Sequence, residues 1–179
     1  MVKKNNFLII LQARQNSTRL PNKVLQSING IPLIIFLLKK LNMCKKVDQI
    51  VTAIPKNKKN KDLKKILQKN NFQYFEGSEK NVLQRFYLCA KKFNGKNIIR
   101  ITADCPLSDP KMIDKFIEIF KYKNVDYLSN GNPPTFPDGF DVEIFKFSAL
   151  EKSYLKSKNL YEKEHVTPFI KKNDFFSKY

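Results

Sequence analysis

Phe7-Leu8-Ile9-Ile10-Leu11-Gln12-Ala13-Arg14-Gln15-Asn16-Ser17-Thr18-Arg19-Leu20-Pro21-Asn22-Lys23, FLIILQARQNSTRLPNK, is the stretch on which the fold turns. Phe7 to Leu11 is a short, wholly apolar run, the signature of a strand buried on both faces. It passes directly into a segment holding Arg14, Arg19 and Lys23, with Ser17 and Thr18 between them. A buried parallel strand that ends in a basic, hydroxyl-bearing loop is built to receive an anion.

Working outward, the chain has 179 residues, 42% of them apolar, enough for one core and one domain over 1–179. No apolar run approaches the roughly 18 residues that span a bilayer. Only Lys3 and Lys4 precede the first apolar run and no small-residue cleavage site follows, so the chain reads as cytoplasmic, with no membrane partner. Cys44, Cys89 and Cys105 are odd in number and form no CxxC pair, which supports neither a disulfide framework nor a zinc site.

The net charge of +18 is that of a polyanion binder. Its distribution says otherwise. Lys56 to Lys65 reads KNKKNKDLKK, a solvated lysine-rich face, whereas the only four arginines, Arg14, Arg19, Arg85 and Arg100, all lie beside motif-like segments. Arginine offers a planar donor fork that lysine lacks, so these four mark chosen positions.

Strands and helices alternate along the chain. After the strand at 7–12, Asn29-Gly30 makes a turn and Pro32 to Leu41 a helix. Gln49 to Ile54 is a second strand, stopped by Pro55, followed by a helix over Lys61 to Lys69. Phe72 to Phe75 is a third strand, closed by Gly77-Ser78, and Asn81 to Phe93 a helix. Asn97 to Thr102 is a fourth strand, leading into Ala103-Asp104-Cys105-Pro106. A helix from Pro110 to Tyr122 follows, capped by Asp109. Tyr127 to Asn130 reads as a strand and the proline-rich 131–139 as a loop. Phe140 to Phe145 alternates so that Asp141 and Glu143 share one face. Ser148 to Lys156 and Tyr161 to Lys171 read as helices, the second broken or kinked by Pro168. This alternation specifies an α/β fold with a mostly parallel sheet between helices. In such sheets ligands bind beyond the carboxyl ends of the strands, where Arg14 to Lys23 and Asp104 both fall.

Two guanidinium forks, an ammonium and two hydroxyls suit a nucleoside triphosphate. The loop lacks the glycines and GK[ST] ending of a P-loop. Asp104 reads either as a turn cap or as a Mg²⁺ ligand, since magnesium takes one or two carboxylates plus phosphate oxygens.

Gln12 to Lys23 resembles the QARxxSTRLPxK signature of the cytidylyltransferases that activate acidic sugars, the acylneuraminate and 3-deoxy-manno-octulosonate enzymes. Within them it is most similar to the branch of spore coat polysaccharide biosynthesis protein F. The resemblance continues through Gly77-Ser78-Glu79, Val82 to Tyr87, Arg100 to Leu107, Pro137 to Glu143 and Glu164 to Pro168. It implies a nucleotide-diphospho-sugar transferase fold, a three-layer α/β/α sandwich. The implied reaction joins CTP and a sugar acid into a CMP-sugar for surface polysaccharide or glycan synthesis, with release of pyrophosphate. By the same resemblance Arg14, Ser17, Arg19 and Lys23 hold phosphates, Gln12 and Ala13 face the base, and Asp104 binds Mg²⁺. Arg14, Lys23 and Asp104 are the catalytic candidates, and Asp138, Asp141, Glu143 and His165 stand on the acceptor side.

Two departures accompany it. Asn16 and Asn22 stand where relatives often carry glycine, and asparagine tolerates positive φ better than most residues. Relatives also usually continue into a VDTPED-like segment with a second metal-side Asp, whereas this sequence ends at Tyr179. The reading is therefore of a domain without the family's C-terminal segment, either active with its metal completed differently or a non-catalytic nucleotide-binding remnant. A homodimer is compatible with it.

Rival readings are a glycosyltransferase, which would need a paired-acid metal motif; a Cys105–His165 nucleophilic pair; and a basic nucleic-acid-binding module. The last leaves the strand-end arginines unexplained and lacks aromatic-basic interleaving, so no specific nucleic acid is expected.

Overall fold

The computed structural model describes residues 6–16, 20–131, 133–134 and 136–179. Its first strand, β1 (Phe7–Gln12), is buried along its whole apolar length. A 3-10 turn at Lys23–Leu25 follows. Next comes a small hairpin of β2 (Ser27–Ile28) and β3 (Ile31–Pro32), turned by Asn29 and Gly30 at φ 50° and 80°, the positive angles that a tight hairpin turn requires. Pro32 belongs to this hairpin, so helix α1 is Leu33–Leu41.

Strand β4 (Gln49–Pro55) leads through a 3-10 turn into α2 (Lys61–Lys69), β5 (Tyr74–Gly77) and α3 (Val82–Lys92), the last capped by the Asn81 side chain. Then come β6 (Asn97–Thr102) and α4 (Pro110–Lys123), where the Asp109 carboxylate accepts from the backbone of Lys111 and Met112. The chain closes with β7 (Tyr127–Ser129), β8 (Glu143–Lys146), α5 (Phe147–Lys156), α6 (Leu160–His165) and α7 (Pro168–Lys172).

The six-stranded sheet has the order β5-β4-β1-β6-β8-β7. The first four strands are parallel; β8 is antiparallel to both β6 and β7. Residues 177–179 lie along β7, with the Tyr179 N–H on the Tyr127 carbonyl and the Ser129 N–H on the Tyr179 carbonyl.

Alternation sends Phe7, Ile9 and Leu11 to one face, under α1, α2 and α4, and Leu8 and Ile10 to the other, under α3, α5 and α7. The result is the three-layer sandwich. Ile9 is fully buried, and truncating it to alanine would cost about 2–5 kcal/mol.

Three expectations are adjusted. β4 ends at Pro55 as expected but takes it in as its last residue, paired with Gly77, where the ladder needs no further donor from it. The third strand is shifted toward the C-terminus, to Tyr74–Gly77, and takes in the glycine assigned to its closing turn. Asp141 and Glu143 do not share a strand face. The strand begins only at Glu143, because Asn130 holds the preceding segment, accepting from the Val142 N–H and donating to the Phe140 carbonyl.

Candidate active site

From β1 the chain moves outward through β4 to β5 and returns to the other side of β1 as β6. The sheet therefore reverses direction of growth between β1 and β6, the crevice where open α/β sheets take ligands. Gln12 and Thr102 stand side by side at its floor. The loops leaving the two strands meet above them: Lys23 Nζ lies 3.8 Å from Asp104 Oδ2, both side chains open to solvent.

The loop after β1 is fixed by one residue, Gln15. Its N–H donates to Asn60 Oδ1 at 2.8 Å, and its side chain donates to Asn22 and Asp62 and accepts from the Leu63 N–H. These bonds tie the loop to the first turn of α2 and leave Arg14 exposed beside it. Asn22 takes the left-handed conformation, φ 57°, that a glycine would otherwise supply; Asn16 has no positive φ. Ser17 and Arg19 lie outside the described residues.

Arg85 lies on α3, inside the protein, and feels the charge of Arg14. It is 2% exposed and donates to the Ser78 carbonyl, while its buried Nε has no partner. Burial, and then the like charge of Arg14, pull its guanidinium down to about 10.

On the α3 side of the sheet, apolar residues give way to polar ones toward the crevice. Ile10 is succeeded by Gln12 on β1, Ile98 by Arg100 and Thr102 on β6, and Phe145 is preceded by Glu143 on β8. Arg100 joins them, donating through Nη2 to Gln12 Oε1 at 3.2 Å and through Nη1 to Glu143 Oε2. Glu143 Oε1 accepts from the Tyr127 hydroxyl at 2.6 Å, Thr167 Oγ1 at 2.8 Å and Lys171 Nζ at 2.8 Å. Burial alone would raise the Glu143 carboxyl. The Arg100 and Lys171 charges and these bonds overcome it and hold it down at about 2. Burial and the Glu143 charge together raise the Tyr127 phenol.

Beside this cluster opens a cleft of about 540 Å³ bordered by Arg100, Tyr161, His165, Thr167, Lys171 and Lys172. Its entrance carries His165, whose ring lies 4.5 Å from that of Tyr161 one helical turn earlier. The predicted helix over 161–171 is in fact two, separated at Val166.

Structure and sequence meet unevenly here. Lys23 and Asp104 come together at the crevice, and Arg14 is exposed on the chain leaving β1. The Ala13 N–H donates to the Ala53 carbonyl and the Gln12 carbonyl accepts from the Ala103 N–H, so both groups already serve the sheet. Asp138 is exposed in the turn at Gly139, φ 93°, and Asp141 is exposed near the Cys105 thiol. Glu143 faces inward, its oxygens occupied. His165 lies across the cleft, with Tyr161 as its ring partner. Burial, aided by the charges of Asp104 and Asp141, raises the Cys105 thiol, and its Sγ lies 3.2 Å from Thr102 Oγ1. That is a protonated thiol, the opposite of an activated nucleophile. Gln15, Tyr127, Thr167 and Lys171 carry much of the geometry, yet none was singled out from sequence. The one available signal was a second Gln inside the QARQ run.

Among the described residues no three His, Cys, Asp or Glu gather into a metal cage. The single open carboxylate of Asp104 beside Lys23 fits a magnesium that arrives on phosphate oxygens and needs little more from the protein. Among the same residues, no helix is long and apolar enough to cross a membrane.

Residues 8–179 match the family model of cytidylyltransferases. The chain belongs to the cytidylyltransferase family. It is 40% identical over 164 residues to the uncharacterized protein MJ1063 of Methanocaldococcus jannaschii, covering 92% of this chain and 66% of that one. It is 32% identical over 171 residues to the spore coat polysaccharide biosynthesis protein SpsF of Bacillus subtilis, covering 90% and 71%. The chain thus spans about two thirds of the length of these curated relatives. A cytidylyltransferase structure from Leptospira borgpetersenii superposes with a TM-score of 0.92 at 33% identity, covering 97% of this chain and 74% of that one.

Proposed function

We propose that the protein transfers the cytidylyl group of CTP to a hydroxyl of an acidic sugar. An acceptor oxygen bonds to the α-phosphorus as the bond to the β-phosphate oxygen breaks, pyrophosphate leaves, and the hydroxyl proton passes to solvent or a nearby base. The observation that supports this most is the meeting of Lys23 and Asp104 over the β1–β6 crevice, with Arg14 exposed just beyond the end of β1. Charge builds on phosphate oxygens as the leaving group departs, and fixed cations lower its energy. In this reading Arg14 and Lys23, with Ser17 and Arg19, hold the phosphates, and Gln12 and Ala13 line the floor below the base. Asp104 holds Mg²⁺, which when bound neutralises phosphate charge. The acceptor occupies the neighbouring cleft at Arg100, His165 and Lys171.

The test is pyrophosphate release from CTP and Mg²⁺ with 3-deoxy-manno-octulosonate or N-acetylneuraminate as acceptor. Release that falls about 10²–10³-fold in Lys23→Ala supports the proposal. A folded protein that shows no CTP binding by calorimetry overturns it.

A further inference from the structure

Val166 is a buried, β-branched residue at φ 71° and ψ −56°. The Thr167 N–H donates to the His165 carbonyl at 2.8 Å, two residues back, which makes this a γ-turn of the strained hand. Among the described non-glycine residues with positive φ all the others are asparagines, the residue type that tolerates it. Thr167 adds to the strain: it sits in the helical region at φ −99° and ψ −9° although Pro168 follows, and a proline disfavours that region in the residue before it.

Such a backbone persists only where its surroundings over-determine it. Here they do. Val166 and Ile170 are both fully buried in the core under α5, and the Thr167 hydroxyl is fastened to Glu143. The turn sends the two residues flanking Val166 to different tasks. Thr167 is 2% exposed and closes the Glu143 cluster from inside. His165 stays in the open, against Tyr161, at the entrance of the cleft.

We propose that Val166 is a positioning residue: its γ-turn presents His165 at the mouth of the cleft as a ligand for the hydroxyls or carboxylate of the acceptor. The identity of the occupant rests on the transferase reading above. The placement of His165 rests on the turn alone.

Two substitutions separate this from ordinary packing. Glycine adopts the γ-turn freely, whereas alanine keeps the steric penalty and loses the methyls that enforce it. If the turn is what counts, Val166→Gly melts about 2–4 °C above Val166→Ala. It also keeps the acceptor KM within about threefold of the parent, while Val166→Ala raises that KM about tenfold and leaves the KM for CTP unchanged. His165 is the only histidine in the chain, so its imidazole Cε1 proton gives a single NMR resonance. That resonance keeps its Tyr161-shifted position in Val166→Gly and moves toward that of a free imidazole in Val166→Ala. His165→Ala raises the acceptor KM about tenfold without lowering the melting temperature. The reverse order, alanine nearer the parent than glycine in melting temperature and resonance position, overturns the proposal. So does an unchanged acceptor KM in His165→Ala. A wild-type protein that releases no pyrophosphate with either sugar acid defeats the transferase reading, and the melting order and the histidine resonance still decide the turn.

Discussion

Arg100 and Glu143 face each other in register across β6 and β8, and the guanidinium of one is bonded to the carboxylate of the other inside the protein. The pair ties an antiparallel strand to the parallel half of the sheet and, through Gln12, to the end of β1. Removing one partner leaves the other charge buried. Glu143→Ala is expected to lower stability by about 3–5 kcal/mol, measured by urea unfolding, whereas a change in a solvent-screened pair such as Lys115–Glu118 should leave the unfolding midpoint nearly unchanged.

The same carboxylate sets an acid limit. Its value of about 2 in the folded protein lies below its ordinary 4.5, so its contribution is complete above about pH 4.5 and fades as pH falls toward 2. A displacement of that size corresponds to about 3 kcal/mol. Unfolding free energies for the parent and Glu143→Gln should therefore differ most at pH 6 and converge only as the pH falls to about 2.

Gln15 is expected to govern nucleotide affinity without touching the nucleotide. Gln15→Leu keeps its volume but unties the loop from Asn22, Asp62 and Leu63. Stability should drop by about 1–3 kcal/mol, and CTP affinity measured by calorimetry should weaken by at least about tenfold.

Gly77 has no room for a side chain. A Cβ there would stand 2.7 Å from Arg85 Cγ, and Arg85 is too buried to yield. Gly77→Ala should cost about 1–3 kcal/mol in thermal unfolding, while Gly131→Ala, with its nearest contact at 3.4 Å, should cost less.

The thiols should be inert. Burial pushes Cys44 and Cys89 up to about 12 and raises Cys105. Iodoacetamide at pH 7.5 should leave all three unmodified in native protein by mass spectrometry, and Cys105→Ser should retain turnover.

The parallel half of the sheet was readable because β1, β4 and β6 are buried on both faces and so appear as short apolar runs. Asp109 and Asn81 declared their helices by local capping chemistry. The rest depends on partners far along the chain. Gln15 meets Asn60 and Leu63, and Glu143 meets Arg100; no local pattern announces such pairs. The FDVEIF alternation suggested a strand that starts three residues too early, at Phe140 and not Glu143, because Asn130 intercepts its first backbone groups. At Val166 the sequence pointed the wrong way, since a β-branched residue argues against positive φ and only the packing around it imposes one.

The pairing of residues 177–179 with β7 also bears on association. Tyr179 and Ser177 satisfy backbone groups at the rim of the sheet, and Ser177 is latched to the Asp126 carboxylate through both N–H and hydroxyl. An uncovered β7 would offer those groups to any extended peptide, including a second molecule of the same protein. Residues 177–179 occupy that edge instead, and Asp126 is the latch that keeps them there.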